Sequence, residues 1–427
     1  MSGLNEIRSA LIQGECDEKL LKVYSAGALE ERRVYLDALL SDFEELFGVQ
    51  TGDISFFSAP GRTEVGGNHT DHNHGRVLAA AISLDAVAVV SKRDDGIINV
   101  KSRNYPMDTV DCAQLEPVKG EEGTSAALIR GVAARFKQLG YNVGGFDAAT
   151  ASQVLSGSGM SSSAAFEVLI GTILSHLYND GKVDAVEIAK IAQYAENKFF
   201  GKPCGLMDQM ACSVGSFVTI DFDDPEKPIV EKVGFNLAQS GYSLCIVDTK
   251  GSHSDLTDEY AAVRKEMEAV AGFFGKSVLR DVNEAEFFAN ISAVRGAVSD
   301  RAVLRAMHFF ADNARVVSEV AALNAGDFDA FKALVIESGN SSYMYNQNVF
   351  TCKNPASQPV SLALAISEKV LKGKGAWRVH GGGFAGTIQA FVPTELVDTY
   401  TFAMKAVFGD DSCHILDIRA VGGTKLI

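Results

Sequence analysis

Cysteine is sparse in this 427-residue chain and tryptophan sparser, with seven Cys and one Trp. The cysteines are scattered at Cys16, Cys112, Cys204, Cys212, Cys245, Cys352 and Cys413. Their odd number and the lack of a CxxC pair argue against a disulfide framework or a structural zinc site. Long apolar runs are missing too. No stretch approaches the ~20 residues needed to cross a bilayer, and the opening MSGLNEIRSALIQGE has no apolar leader core. Positive charge is in deficit: 39 Lys and Arg stand against 54 Asp and Glu, for a net charge of −15. Nucleic-acid binding normally needs a positive face, so no nucleic-acid partner is expected. A nucleotide stays open, because it needs only a local nest of donors. The expected setting is a reduced cytoplasm without a membrane contact. The remainder is ordinary for a globular protein, with 47% apolar and 22% charged residues. The length suits two to three domains at roughly 150 residues each.

Apolar spacing predicts a helix through Leu36, Leu39, Leu40, Phe43 and Phe47, stopped by Gly48. Helices are also expected over Ser161–Asn179, Asp184–Phe200 with Gly201 as its stop, Asp258–Gly275, Asp300–Ala325 and Asp327–Ser338. Strands are expected at Phe56–Pro60, running into a Gly/Pro turn, and at Leu84–Lys92, Ser216–Asp221, Ser243–Asp248, Ala376–His380 and Thr387–Val392. No repeat or low-complexity tract is seen. The mixture lacks strict βαβ alternation, which suggests α+β layers. A boundary near residue 235 divides it into domains 1–235 and 236–427.

Three segments carry chemistry. The first runs from Pro60-Gly61-Arg62 through Gly67-Asn68-His69-Thr70-Asp71-His72-Asn73-His74-Gly75. His69 and Asp71 suit a pair of vicinal hydroxyls, and such a site rejects analogues lacking the hydroxyl. Arg62 suits the charge on a transferring phosphate. The run also reads as a solvated loop, or as a metal site, although H-x-x-H-x-H fits no standard ligand spacing. The second is Leu155-Ser156-Gly157-Ser158-Gly159-Met160-Ser161-Ser162-Ser163. Glycines admit close backbone approach, and a helix N-terminus presents free N–H groups, together an anion cradle. It is not a Walker A loop, since no Gly-Lys-Ser/Thr follows. A flexible helix cap is the plain alternative. The third is Gly201-Lys202-Pro203-Cys204-Gly205-Leu206-Met207-Asp208-Gln209. Asp208 can orient a hydroxyl and accept its proton. Glu196, near the end of the preceding helix, can reach a magnesium ion. Either can also be a plain loop or surface residue. Near the C-terminus, Gly381-Gly382-Gly383-Phe384-Ala385-Gly386 matches G-x-G-x-x-G, but a strand-like TIQAFV follows it rather than a helix. It reads as a close backbone approach to the active site.

Taken in order, PGR…GxHTD, SGSGMSSSAA, CGLMDQ and GGGFAG resemble the motifs of the GHMP kinases. The first and third are most similar to the galactokinase branch, and the resemblance runs from about Ser58 to the C-terminus. It implies an α+β, two-domain fold: an N-terminal ribosomal-protein-S5-domain-2-like domain and a C-terminal ferredoxin-like domain, with the active site between them. It implies ATP and Mg2+, and transfer of the γ-phosphoryl group to the anomeric hydroxyl of galactose. By matching position, Gly157, Ser158, Gly159, Met160, Ser161, Ser162 and Ser163 would wrap the phosphates, and Ser163 and Glu196 would hold magnesium. Asp208 would be the catalytic carboxylate with Arg62 beside it. Asn68, His69, Asp71, Gly205 and Tyr260 would contact the sugar. The chain departs from the pattern in three places. Galactokinases usually carry Gly-Glu-His-Thr-Asp-Tyr, and here Asn68 stands where the glutamate contacts the C6 hydroxyl. The leucine/asparagine run after the arginine becomes Thr63-Glu64-Val65-Gly66. The expected Ser-His…Asp-Tyr-Glu-Val segment becomes Glu337 to Asn348. An amide tolerates a C6 carboxylate better than a glutamate does. The alternatives are therefore a 1-kinase for a sugar altered at C6, such as galacturonate, and a non-catalytic sugar sensor.

Overall fold

The computed structural model describes residues 3–48, 53–154, 160–202, 204–251 and 256–427. Three helices lead in: α1 (Leu4–Gln13), α2 (Asp17–Leu20) and α3 (Leu29–Phe47). The buried stripe of α3 is Leu36, Leu39, Leu40 and Phe43, and Gly48 ends it with a φ of 76°. Next come β1 (Ile54–Gly66), β2 (Arg76–Lys92), β3 (Ile97–Ser102), β4 (Met107–Asp111), α4 (Ser125–Gln138), β5 (Phe146–Ser152), α5 (Ser162–Tyr178), α6 (Ala185–Ala195), α7 (Met207–Val214), β6 (Phe217–Asp221) and β7 (Ile229–Val233). The second half holds β8 (Tyr242–Asp248), α8 (Thr257–Phe273), α9 (Glu284–Ala289), α10 (Ile291–Ala297), α11 (Asp300–Asn324), α12 (Phe328–Ser341) and α13 (Pro359–Leu371). It closes with β9 (Ala376–Val379), β10 (Thr387–Pro393), α14 (Val397–Phe408), β11 (Cys413–Leu416) and β12 (Thr424–Lys425). Among the described residues, no helix is long and apolar enough to cross a membrane.

The architecture is α+β. An eight-stranded sheet runs β12-β1-β2-β5-β3-β4, with β6 joined to β2 and β7 to β6; a four-stranded sheet runs β11-β8-β10-β9. The chain passes from one sheet to the other between Val233 and Tyr242, and β12 returns to pair with β1. Alternation along β1 serves two layers. Phe56 packs with the leading helices, while Phe57 and Ala59 face the cluster that includes Val168 and Leu169 of α5. That cluster also takes in Leu244, Ile246 and Phe391 from the second sheet and Phe331 from α12, so one apolar core spans both sheets.

Two strands are longer than their sequence predicts. β2 begins at Arg76 instead of Leu84, because small buried Ala79, Ala80 and Ala81 pair with β1. β1 does not turn at Pro60-Gly61 but continues to Gly66, with register shifts between Pro60 and Arg62 and between Glu64 and Gly66. Proline is tolerated at such an irregularity because the ladder does not need its N–H there. Between the two shifts the pairing is regular. Arg62 and Glu64 therefore project from the same face, roughly 7 Å apart along the strand.

Candidate active site

A cavity of about 170 Å3 opens where these elements meet. Arg62 and Glu64 reach it from β1, and His69, Asp71 and His72 from the turn into β2. Cys204, Gly205, Met207 and Asp208 come from the approach to α7 and its first turn, and Gly381 and Gly382 from the turn after β9. Segments from both halves of the chain thus build one site. The glycine cluster approaches it with its backbone, as its poor fit to a dinucleotide fingerprint suggests.

Arg62 and Asp208 form a two-pronged pair, with Nε to Oδ1 at 2.7 Å and Nη2 to Oδ2 at 2.6 Å. Ser161 donates its hydroxyl to Oδ2 at 2.5 Å. Burial alone would raise the pKa of Asp208, but the Arg62 charge, the Arg62 hydrogen bonds and the Ser161 hydrogen bond outweigh it and hold the carboxyl below its ordinary value. The Asp208 side chain keeps 30% of its surface exposed, so it remains open to a ligand while Arg62 is enclosed. Ser161 sits just before α5 in the left-handed region at φ 59°. The carbonyl of Met160 accepts the Arg62 backbone N–H at 3.1 Å. The end of the serine loop is thereby tied to β1, beside the Arg62–Asp208 pair. Gly157, Ser158 and Gly159 lie outside the described residues; Ser162 opens α5.

His69 is held neutral, its pKa lowered to about 4, chiefly by burial. Its Nε2 lies 2.9 Å from the carbonyl of Gly382. A carbonyl only accepts, so Nε2 carries the proton and Nδ1 is left as an acceptor. Gly205 faces Asp71 so closely that a Cβ there would stand 2.7 Å from Asp71 Oδ2. Tyr260 does not line the cavity. Its hydroxyl donates to the Gly383 carbonyl at 2.9 Å, its ring meets Phe384 edge-on at 5.4 Å, and it backs Gly382.

The first turns of α5 carry part of a polar cluster. Ser163 Oγ donates to Glu196 Oε1 at 3.2 Å, and Lys202 Nζ stands 3.3 Å from the same oxygen. Gln209 Nε2 donates to Glu196 Oε2 at 2.7 Å and to Glu167 Oε2 at 3.2 Å. Burial first, and the Glu196 charge second, push the Glu167 carboxyl well above its ordinary pKa. Its Oε1 is buried with no donor among the described residues. Glu196 opens a single π-helical turn, Glu196–Phe200, which Gly201 ends at φ 82°, a widening of the backbone often found at functional positions. The hydroxyl and carboxylate of Ser163 and Glu196 are hard oxygen donors that suit Mg2+, an ion that takes few protein ligands and leaves the others to phosphate and water. Among the described residues, no group of three or more His, Cys, Asp and Glu is arranged to hold a metal.

Asn68 is placed differently from its expected position at the sugar. It is fully buried, and its side chain is consumed by protein contacts. Nδ2 donates to Glu64 Oε1 and to the Gly381 carbonyl, both at 2.8 Å. Oδ1 accepts from Asn348 at 2.8 Å, Ser342 at 3.1 Å and Asn346 at 3.5 Å. Ser342 to Asn346 form a second π-helical turn at the end of α12. Two departures from the galactokinase pattern, at residue 68 and across 337–348, therefore touch one another. The third, Glu64, lines the cavity in front of Asn68. Glu64, Cys204 and Met207 are wall residues that motif matching alone did not select. A signal for Glu64 was available, since it stands two places from Arg62 in a segment that can be extended.

The fold and the site together define a GHMP kinase. Residues 127–216 match the GHMP kinases N terminal domain, and residues 41–92 match the galactokinase galactose-binding signature. The galactokinase of Streptomyces coelicolor is 33% identical over 369 residues, covering 86% of this chain and 91% of that one. The galactokinase of Actinobacillus pleuropneumoniae is also 33% identical, over 83% and 89% of the two chains. The chain belongs to the galactokinase family. Among solved structures, Lactococcus lactis galactokinase complexed with galactose superposes with a TM-score of 0.77 at 24% identity, covering 91% of this chain and 99% of that one. Methanococcus jannaschii mevalonate kinase superposes at 0.61 with 13% identity, over 86% and 99%. Both share the fold.

Proposed function

We propose that this sugar kinase transfers the γ-phosphoryl group of ATP to the anomeric hydroxyl of galactose, with Asp208 and Arg62 at the reacting end of the cavity. The observation that carries the assignment is the Arg62–Asp208–Ser161 triangle, which joins the serine loop to the cavity floor. His69 and Asp71 line the same cavity, and the Gly205 backbone lies against Asp71, so hydroxyl-binding and phosphate-facing groups stand within one small volume.

The chemistry follows from the charges. Asp208 is anionic at neutral pH, so it accepts a hydrogen bond from the attacking hydroxyl and aligns one of its lone pairs. Its lowered pKa makes it a weak base, which suffices because a loose phosphoryl-transfer transition state releases the proton late. Arg62 fixes the carboxylate and offers positive charge to the transferring group. The N-terminus of α5 directs its free N–H groups and dipole toward phosphate. Mg2+ held by Ser163 and Glu196 would neutralise charge on the phosphate oxygens.

Replacing Asp208 with Ala should lower kcat by about 10²–10⁴ with ATP affinity and the unfolding midpoint near those of the parent. ADP release with galactose present, together with NMR of the product, gives the measurement. Turnover close to the parent's would remove Asp208 from the reaction.

A further inference from the structure

We infer that Glu64, and not Asn68, is the specificity residue at the far end of the sugar site: its carboxylate grips a sugar hydroxyl remote from the one phosphorylated and bars sugars carrying a carboxylate there. The inference rests on the reading of the cavity as the sugar site.

Both oxygens of Glu64 can be accounted for. Oε1 accepts from Arg378 Nη2 at 2.9 Å and from Asn68 Nδ2 at 2.8 Å. Among the described residues, no donor reaches Oε2, and it is not one of the sealed, unpaired buried atoms. Glu64 lines the cavity although only 5% of its surface is exposed. An acceptor with one oxygen pinned and the other turned to a cavity is set up to receive an O–H. Arg378 is itself buried, with Nη1 on the Val65 carbonyl at 2.6 Å, so the carboxylate is held from behind.

The spacing fits one sugar ring. Arg62, which carries Asp208, and Glu64 project from the same face of β1 about 7 Å apart. In this proposal one hydroxyl meets Asp208 and another, across the ring, meets Glu64. The charges exclude a uronic acid. Asp208 is matched by Arg62, but Glu64 and Asp71 present two more carboxylates to the cavity, with Arg378 behind Glu64 and the His72 ring 3.7 Å from Asp71. A neutral polyol satisfies them by donating hydrogen bonds, whereas a substrate carboxylate brings like charge and no proton. Asn68, which by itself suggests tolerance of a C6 carboxylate, lies behind this wall.

The test uses the full chain with ATP, galactose and galacturonate. For the parent, kcat/KM with galacturonate should be about 100-fold or more below that with galactose. Glu64→Gln should lower kcat/KM for galactose about tenfold, mainly through KM, and raise the galacturonate-to-galactose ratio about tenfold. Glu64→Asp, which keeps the charge but withdraws it by one methylene, should raise KM for galactose and still reject galacturonate. Parent activity on the two sugars within a factor of about three would overturn the inference, whether or not the variants fold. So would a Glu64→Gln protein with KM and sugar ratio within about twofold of the parent. Failure of the parent with every neutral hexose would be a different result: it would reject the cavity as a sugar site and the inference with it.

Discussion

Burial and neighbours pull against each other at the carboxylates of this site, and their balance decides which are charged. Asp208 is kept anionic by Arg62 and Ser161, whereas Glu64, two places along from Arg62, is raised to about pKa 6, first by burial and only partly offset by Arg378. The groups facing Glu64 are Arg62 on its own strand, Asp71 and Asn68 from the following turn, Arg378 on β9, and His380, which accepts its backbone N–H and is held neutral by burial. Glu64 is therefore largely anionic at pH 7.5 and protonated at pH 5. Protonation removes the charge that makes it a strong acceptor, so KM for galactose should rise as the pH falls through about 6. The acid limb of kcat/KM should disappear in Glu64→Gln, because free-enzyme groups set that profile. An unchanged limb in that variant would assign the titration elsewhere.

At the scale of elements, β1 is the spine of the site, and its far end depends on a glycine. A Cβ at Gly66 would stand 1.8 Å from Oε2 of Glu319 on α11. Glu319 is fully buried, neither oxygen has a partner among the described residues, and burial followed by the Asp312 charge raises its pKa to about 8. A side chain at residue 66 must displace the buried Glu319 carboxyl. Gly66→Ala should destabilise the protein by about 1–3 kcal/mol, read from the urea midpoint at constant m-value. Asp312 on the same helix accepts the Asn68 backbone N–H at 2.8 Å. The two π-helical turns act at this scale too, one carrying Glu196 and the other the ring of donors around Asn68.

At the scale of the molecule, the ends of the chain are tied to its centre through Asp85. This fully buried carboxylate on β2 accepts from Tyr24 at 2.7 Å, Ser58 at 2.5 Å, Arg32 at 3.2 Å and Arg419 at 3.2 Å. Arg419 also donates to the carbonyls of Val421 and Gly422 at 2.8 and 2.9 Å, fixing the segment that leads to β12. The leading helices, β1 and the C-terminal segment thus share one charge network. Removing one partner of a buried pair leaves the other uncompensated. Arg419→Met should lower unfolding free energy by about 3 kcal/mol, measured by denaturant titration. A loss below about 0.5 kcal/mol would show that Arg32, Tyr24 and Ser58 satisfy Asp85 without Arg419.

Much of this was legible in order of residues. Glycine-flanked polar runs and a serine-led helix pointed to Arg62, His69, Asp71, Glu196 and Asp208 beside plain loop and cap readings, and the ordered resemblance to the GHMP kinases added Ser161, Ser163 and Gly205. The apolar period of α3, α5, α11 and α12 declared the helices in the same way. Tertiary structure alone decided which of Glu64 and Asn68 meets the cavity. They lie four residues apart on either side of a strand end, and local sequence ranks neither. The donors that enclose Asn68 come from Ser342, Asn346 and Asn348, and the cation behind Glu64 comes from Arg378, each at least 274 residues distant. A buried polar atom goes where its hydrogen bonds are met, and that was settled only when the second half of the chain closed over the first.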